Sequence, residues 1–204
     1  LFHDALVPFA ERRIIFMKKK IKITFNSPVI LVFVMLCFIA TLLGVISNGK
    51  ITQEIFMTYH SKLTNPLTYL RFITHVLGHA SWEHFIGNAS FLLLLGPILE
   101  EKYGSMIMLK SIILTAVATG IVNYIFFQNQ GLCGASGVVF AFIIMASFTS
   151  FGNGEIPITF ILVAIIFIGQ QVYNGLTIND NVSYMAHIIG GGIGSVIGFK
   201  FSRK

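Results

Sequence analysis

Six stretches of nearly uninterrupted apolar residues, at about 28–47, 84–103, 105–127, 136–152, 156–175 and 182–201, alternate with polar segments. Each is close to the ~20 residues that a helix needs to cross ~30 Å of hydrocarbon. Long strands of alternating apolar and polar residues are missing, which argues against a β-barrel. The pattern predicts an all-α polytopic membrane protein with six transmembrane helices. One connection is much longer than the rest: residues 48–83 form an outer loop between the first and second spans, carrying Phe56, Tyr59, Tyr69, Phe72 and Trp82. Such aromatics favour the membrane–water boundary, and a loop this long and apolar is usually functional.

Composition points the same way. Hydrophobic residues make up 55% of the chain and charged residues 11%, with a mean hydropathy of +0.81; a soluble domain carries about 25% charged residues. The 204 residues hold one domain, expected as a basic cytoplasmic segment at 1–27 followed by a six-helix membrane domain at 28–204. Arg12, Arg13, Lys18, Lys19, Lys20 and Lys22 precede the first span, Lys102 and Lys110 flank the turn after the second, and Lys200, Arg203 and Lys204 close the last. That places eleven of the fourteen basic residues on one side, leaving Lys50, Lys62 and Arg71 on the other. The asymmetry predicts a multi-pass protein of the cell membrane with both termini in the cytoplasm. It also accounts for the net charge of +6 without nucleic acid. The apolar run after Lys18–Lys20 is too long for a signal peptide and is expected as a retained first span. Met17-Lys18-Lys19-Lys20 looks like a natural start, so residues 1–16 are expected to be dispensable.

Two polar groups stand out against this background. Ser136 lies in Gly134-Ala135-Ser136-Gly137, where a glycine-rich loop enters an apolar stretch, and His187 lies inside the last apolar stretch. A hydroxyl and an imidazole are costly in lipid without a task, and a serine nucleophile activated by a histidine base is the simplest one. Glycines at 190, 194 and 198, spaced by four, strip one face of the last span. A neighbouring backbone can approach that face closely, and His187 is carried with it. His84 and Asn88, four residues apart, share a helix face. Both can donate hydrogen bonds, as the oxyanion of an acyl-transfer intermediate requires.

Taken together, these motifs resemble the rhomboid family of intramembrane serine proteases. The resemblance covers residues 71 to about 198 and rests on His79, His84-x-x-x-Asn88, Glu100-x-x-x-Gly104, Gly134-Ala135-Ser136-Gly137 and Ala186-His187-x-x-Gly190-x-x-x-Gly194. It implies a Ser136–His187 dyad without a third acidic member. It also implies an oxyanion hole from His84, Asn88 and the Ser136 backbone N–H, with Gly134, Gly137, Phe140, Gly190, Gly194, Arg71, His79 and Glu100 supporting the site. Three positions depart from the family pattern: Leu70 before Arg71 replaces a frequent tryptophan, Phe140 replaces a frequent tyrosine, and Cys133 replaces a glycine. None of them removes a reacting group. Glu100 is expected to bond backbone or neighbours, His79 to partner the outer loop, and the fifth span, with Phe160, Phe167, Gln170 and Gln171, to lie near the gate. The expected partners are transmembrane protein substrates and membrane lipid, with no cofactor, metal or cofactor protein.

Other classes fit less well. His75-Val76-Leu77-Gly78-His79 lacks the glutamate of a zinc protease motif. Asp4 and Asp180 are the chain's aspartates, too few within spans for an intramembrane aspartyl protease. A transporter would show repeated halves or mid-span carboxylates, and a binding-only relative would have no need of both Ser136 and His187. Cys133 could be a thiol nucleophile, but no neighbouring group in the sequence would stabilise its thiolate.

Overall fold

The computed structural model describes residues 24–149 and 181–201, with six isolated helical positions between 158 and 169. Seven helices follow one another along the described residues: α1 (Pro28–Ile46), α2 (Lys50–Ile55), α3 (Pro66–Thr74), α4 (Trp82–Tyr103), α5 (Ser105–Phe126), α6 (Ser136–Ser147) and α7 (Asn181–Phe201). No strand occurs among them, and an isolated antiparallel bridge joins Thr58 to Leu132. The architecture is all-α. The expected fifth span, with the gate residues assigned to it, lies outside the described residues, as does the basic cluster before residue 24.

α1 and α5 are long and apolar enough to cross a membrane, with mean hydropathies of 3.1 and 1.9 over 18-residue windows. Only one side of each joins the core, through Ile30 and Phe33 of α1 and Met108 and Ile112 of α5. Met35, Leu36 and Ile39 of α1 and Leu114 and Ile125 of α5 are all more than a third exposed. A helix apolar on every side with its outer face uncovered suits a hydrocarbon solvent.

α1 is capped from a distance. Pro28 occupies its first turn and Ser27 supplies no side-chain cap. The Glu100 carboxylate instead accepts from the Val29 and Ile30 N–H groups, both at 3.1 Å, and from the Ser105 hydroxyl at 2.6 Å. Glu100 is 5% exposed, so its charge is balanced by the positive end of α1 and by these donors. One residue thus ties together the start of α1, the end of α4 and the start of α5. Further along, α1 and α4 meet where a Cβ at Gly96 would lie 2.7 Å from the Ile30 side chain.

α6 is the central helix, packed by α4, α5 and α7. Val138, Ala141, Phe142 and Met145 are fully buried at 0% exposure. It has 12 residues, about 18 Å of rise, and is shorter than the apolar run at 136–152. It stops at Ser147 because Phe148 and Thr149 turn back on the Met145 and Ala146 carbonyls with i to i−3 bonds. Its first turn is not at the surface. A Cβ at Gly137 would meet Thr115 and Thr119 Cγ2 at 3.5 and 3.6 Å, and these threonines lie roughly 10–16 Å along α5 from its end at Phe126.

The outer connection is structured. α2 and α3 fold beside α1 and α5. Arg71, 4% exposed, donates from Nε to the Glu54 carbonyl at 2.7 Å and lies 4.5 Å from the Tyr59 ring centroid. Thr74 donates to the Ile55 carbonyl, closing α3 onto the end of α2.

Replacing Glu100 by glutamine should lower stability by about 1–3 kcal/mol, the scale of hydrogen bonds to a charged group. Thermal unfolding in detergent checks this; an unchanged Tm would mean that the remote cap does not hold α1.

Candidate active site

The loop that leads into α6 is held by the outer segment. Thr58 and Leu132 exchange both backbone bonds, at 3.0 and 2.8 Å, and the Gly134 N–H donates to the His75 carbonyl at 2.9 Å. The Ala135 N–H donates to His79 Nε2 at 3.4 Å, which leaves Nδ1 to carry the proton and donate to the Leu77 carbonyl at 3.1 Å. His75 in turn donates from Nε2 to the Ala116 carbonyl of α5 at 3.0 Å. Two histidines four residues apart therefore serve different partners and do not converge on a common point. Among the described residues no group of three or more His, Cys, Asp or Glu could hold a metal ion. Burial pushes the His75 imidazole down to about 4. Burial, and then the nearby His84 ring, do the same to His79. Both rings are neutral at pH 7, as an acceptor for the Ala135 N–H must be.

Gly134 carries a φ of +128°, in the region that only glycine enters freely. The space at its Cα is also taken, since a Cβ there would lie 2.7 Å from His84 Cε1 and 2.9 Å from Nε2. The loop thus lays its backbone directly against the His84 ring two residues before Ser136. Ser81 caps α4 by accepting the His84 N–H at 3.1 Å, which fixes where that ring starts. The His84 ring packs edge-on against His79 at 5.0 Å between centroids. One turn deeper, Asn88 is 8% exposed, and its Nδ2 is buried with no hydrogen-bond partner.

The helices that carry Ser136 and His187 are brought together by glycine. A Cβ at Gly190 would collide with the Gly137 carbonyl group, lying 2.8 Å from its carbon, and one at Gly194 would lie 2.8 Å from Ala141 Cα. A Cβ at Gly137 would itself meet the Ala186 carbonyl at 3.2 Å. α6 and α7 therefore touch backbone to backbone on the turns that carry Ser136 and His187. The His187 ring lies flat on Phe140, with centroids 4.1 Å apart and planes at 2°. Tyr184 meets the same imidazole edge-on at 6.4 Å. Both Ser136 and His187 are partly exposed.

This geometry agrees with the comparison to known proteins, in which the family profile described as the Rhomboid domain matches residues 66–204. The chain belongs to the rhomboid family. It is 29% identical over 158 residues to Rhomboid-related protein 2 of Mus musculus, covering 67% of this chain and 52% of that protein. It is 25% identical over 150 residues to Rhomboid-like protein 11, chloroplastic, of Arabidopsis thaliana, covering 66% of this chain and 53% of the relative. It is also 35% identical over 72 residues to Rhomboid protease GlpG of Haemophilus influenzae, covering 35% of this chain and 36% of that protease. The chain spans about half the length of the first two relatives.

Within this rhomboid chain, His84 meets Gly134, Gly137 meets Gly190, Ala141 meets Gly194 and Phe140 meets His187, with Ser136 between Gly134 and Gly137 and Asn88 one turn along α4 from His84. His79 packs on His84 beside the same loop, while Arg71 and Glu100 are held elsewhere. His79 holds the loop, Arg71 holds the outer segment, and Glu100 caps α1 through its bonds to Val29 and Ile30. Sequence reasoning missed His75, whose carbonyl and ring connect the loop to α5. The signal was its presence in an apolar segment that could not be a zinc motif: a histidine there must bond something. Burial pushes the Cys133 thiol up to about 11, which disfavours the thiolate that a thiol nucleophile needs.

The neutral histidines make a pH prediction. An unfolded histidine titrates near 6.5, while His75 and His79 titrate near 4 in the fold. Between these values the unfolded chain binds more protons, so their contribution is complete above about pH 6.5 and is lost as the pH falls towards 4. Tm measured in detergent should be level above pH 7 and decline below 6.5, less steeply in His79→Gln. A Tm independent of pH across that window would show that these rings are not held neutral.

Proposed function

We propose that this protein is an intramembrane serine endopeptidase that hydrolyses peptide bonds in or near the transmembrane segments of other membrane proteins. Ser136 is the nucleophile and His187 the general base. The observation that carries the reading is the convergence at the α6 N-terminus: a serine at its first position, a histidine on the turn of α7 that touches it, and an unpaired Asn88 amide facing no protein acceptor. Buried polar groups without partners are rare in folded proteins. Asn88 Nδ2 is one of seven such atoms among the described residues, and on this reading its acceptor forms only during reaction.

On this reading His187 takes the proton of the Ser136 hydroxyl as the oxygen attacks the scissile carbonyl carbon. The carbonyl oxygen gains the negative charge and is met by the Asn88 amide, the His84 ring and the Ser136 backbone N–H. That N–H is one of the donors that the start of a helix leaves unpaired, and the helix dipole favours negative charge at the same point. His187 then returns the proton to the departing amine. A water molecule repeats the sequence and releases the acyl group from Ser136. The resemblance implies a dyad without a third acidic member; on this reading the flat Phe140 face and the Gly137–Gly190 contact orient His187, and turnover should be slow beside soluble triad proteases.

The topology proposed with it has six transmembrane helices within residues 28–204, a basic cytoplasmic segment at 1–27, both termini in the cytoplasm and residues 48–83 on the outer side. Placing the first turn of α6 below the outer end of α5 lets water reach Ser136 from outside through a cavity lined by protein. Substrate spans would be cut near their outer ends, where a helical peptide bond can unwind.

A serine-directed fluorophosphonate should label the purified protein and fail to label Ser136→Ala or His187→Ala. Asn88→Ala should retain labelling but cleave a transmembrane substrate about 10²–10³-fold more slowly, the usual cost of one oxyanion donor. Labelling that survives Ser136→Ala would put the nucleophile elsewhere. Wild-type protein that is folded yet never labelled would favour a non-catalytic role.

A further inference from the structure

Away from the Ser136 end of the bundle, α5 and α7 part to form a groove of about 520 Å³. Its walls are apolar: Ile113, Leu114 and Val117 on α5 face Val196 and Ile197 on α7. Leu114 is 51% exposed and Val196 67%, so the groove opens sideways from the bundle. Its rim has a different chemistry. Lys110, one and a half turns into α5, and Lys200, at the last turn of α7, both line it, with Phe201 beneath the Lys200 ammonium at 5.6 Å from the ring centroid. Of the two acids at the end of α4, Glu100 is taken up by Val29, Ile30 and Ser105, and Glu101 is exposed.

We propose that this groove is a binding site for an anionic phospholipid. One acyl chain lies along Leu114, Val117 and Val196, and the phosphate sits between the Lys110 and Lys200 ammonium groups. The spacing fits. Lys110 is about 7.5 Å along the helix from Ser105, a depth from which a lysine stem reaches the head-group region, and Val117 lies about 10 Å deeper. Two ammonium groups at one rim repel each other and are poorly placed against hydrocarbon unless an anion lies between them. Basic pockets between spanning helices on the cytoplasmic side favour anionic head groups for this reason. A zwitterionic lipid would bring its own cation to the same rim and gain less. The leaflet rests on the orientation proposed above. The groove and its lysines do not depend on Ser136 acting as a nucleophile.

The full chain is reconstituted in phosphatidylcholine vesicles containing a trace of phosphatidylglycerol with a diazirine on its acyl chain, irradiated, and mapped by mass spectrometry. Crosslinks are expected in the peptides covering 107–117 and 196–201. They should fall about 10-fold or more in the Lys110→Gln, Lys200→Gln double variant, and also in Val117→Trp, which fills the groove and leaves both charges. Lys102→Gln, outside the groove, should label as the wild type does. Gel filtration and Tm establish that each variant is folded. Equal labelling by a phosphatidylcholine probe, or labelling indifferent to loss of both lysines, would overturn the proposal and leave an ordinary lipid contact. Displacement by excess glycerol phosphate would overturn it too, by showing a soluble phosphate site. Protease activity enters none of these readouts, so failure here and failure of the Ser136 reading remain distinct.

Discussion

α6 and α7, the helices that carry Ser136 and His187, touch backbone to backbone where Gly137 meets Gly190 and Ala141 meets Gly194. Water supplies no hydrophobic drive for helix association in lipid. Close van der Waals approach takes its place, and it needs faces without side chains. A Cβ at Gly190 or Gly194 would strike the opposing backbone rather than a movable side chain. The contact therefore fixes the position of His187 relative to α6, and the Phe140 ring fixes its rotation. The other helices are arranged around this pair: α4 and α5 pack the remaining sides of α6 and leave its core side chains fully buried.

The second requirement is that the loop entering α6 beside the middle of α5 does not leave its backbone groups unpaired. Irregular backbone at that depth is tolerated only where protein or water satisfies it. The outer segment does this with backbone from Thr58 and His75 and with the His79 ring. Neutral imidazole suits the task because one nitrogen accepts while the other donates, so a single ring links the Ala135 N–H to the Leu77 carbonyl. The same burial that keeps these rings neutral makes the loop vulnerable to acid. The outer connection is thus part of the support of the site.

Four charged residues among those described have identifiable settings. Glu100 meets the start of α1, Arg71 meets a carbonyl and an aromatic face, and Lys110 and Lys200 stand at the rim of a groove. Each is placed where a partial charge, a ring or the membrane boundary offsets the loss of bulk water. Asn88 Nδ2, one turn along α4 from the His84 ring that meets Gly134, is one of seven buried side-chain atoms left without a partner among the described residues.

The helical class and the glycine stripe were legible in the sequence, because hydrocarbon constrains composition locally: long apolar runs must be helical, and polar side chains inside them stand out as candidates. The reading of 136–152 as one helical run was too long, since the turn at Phe148 and Thr149 depends on backbone bonds that composition does not reveal. The folded shape of residues 48–83 and the part played by His75 were decided by tertiary structure. Their bonds join distant positions: Ala135 and His79 are 56 residues apart, and Val29 and Glu100 are 71 apart. A side chain's type can announce that it needs a partner, but which partner it finds is set by how the helices pack.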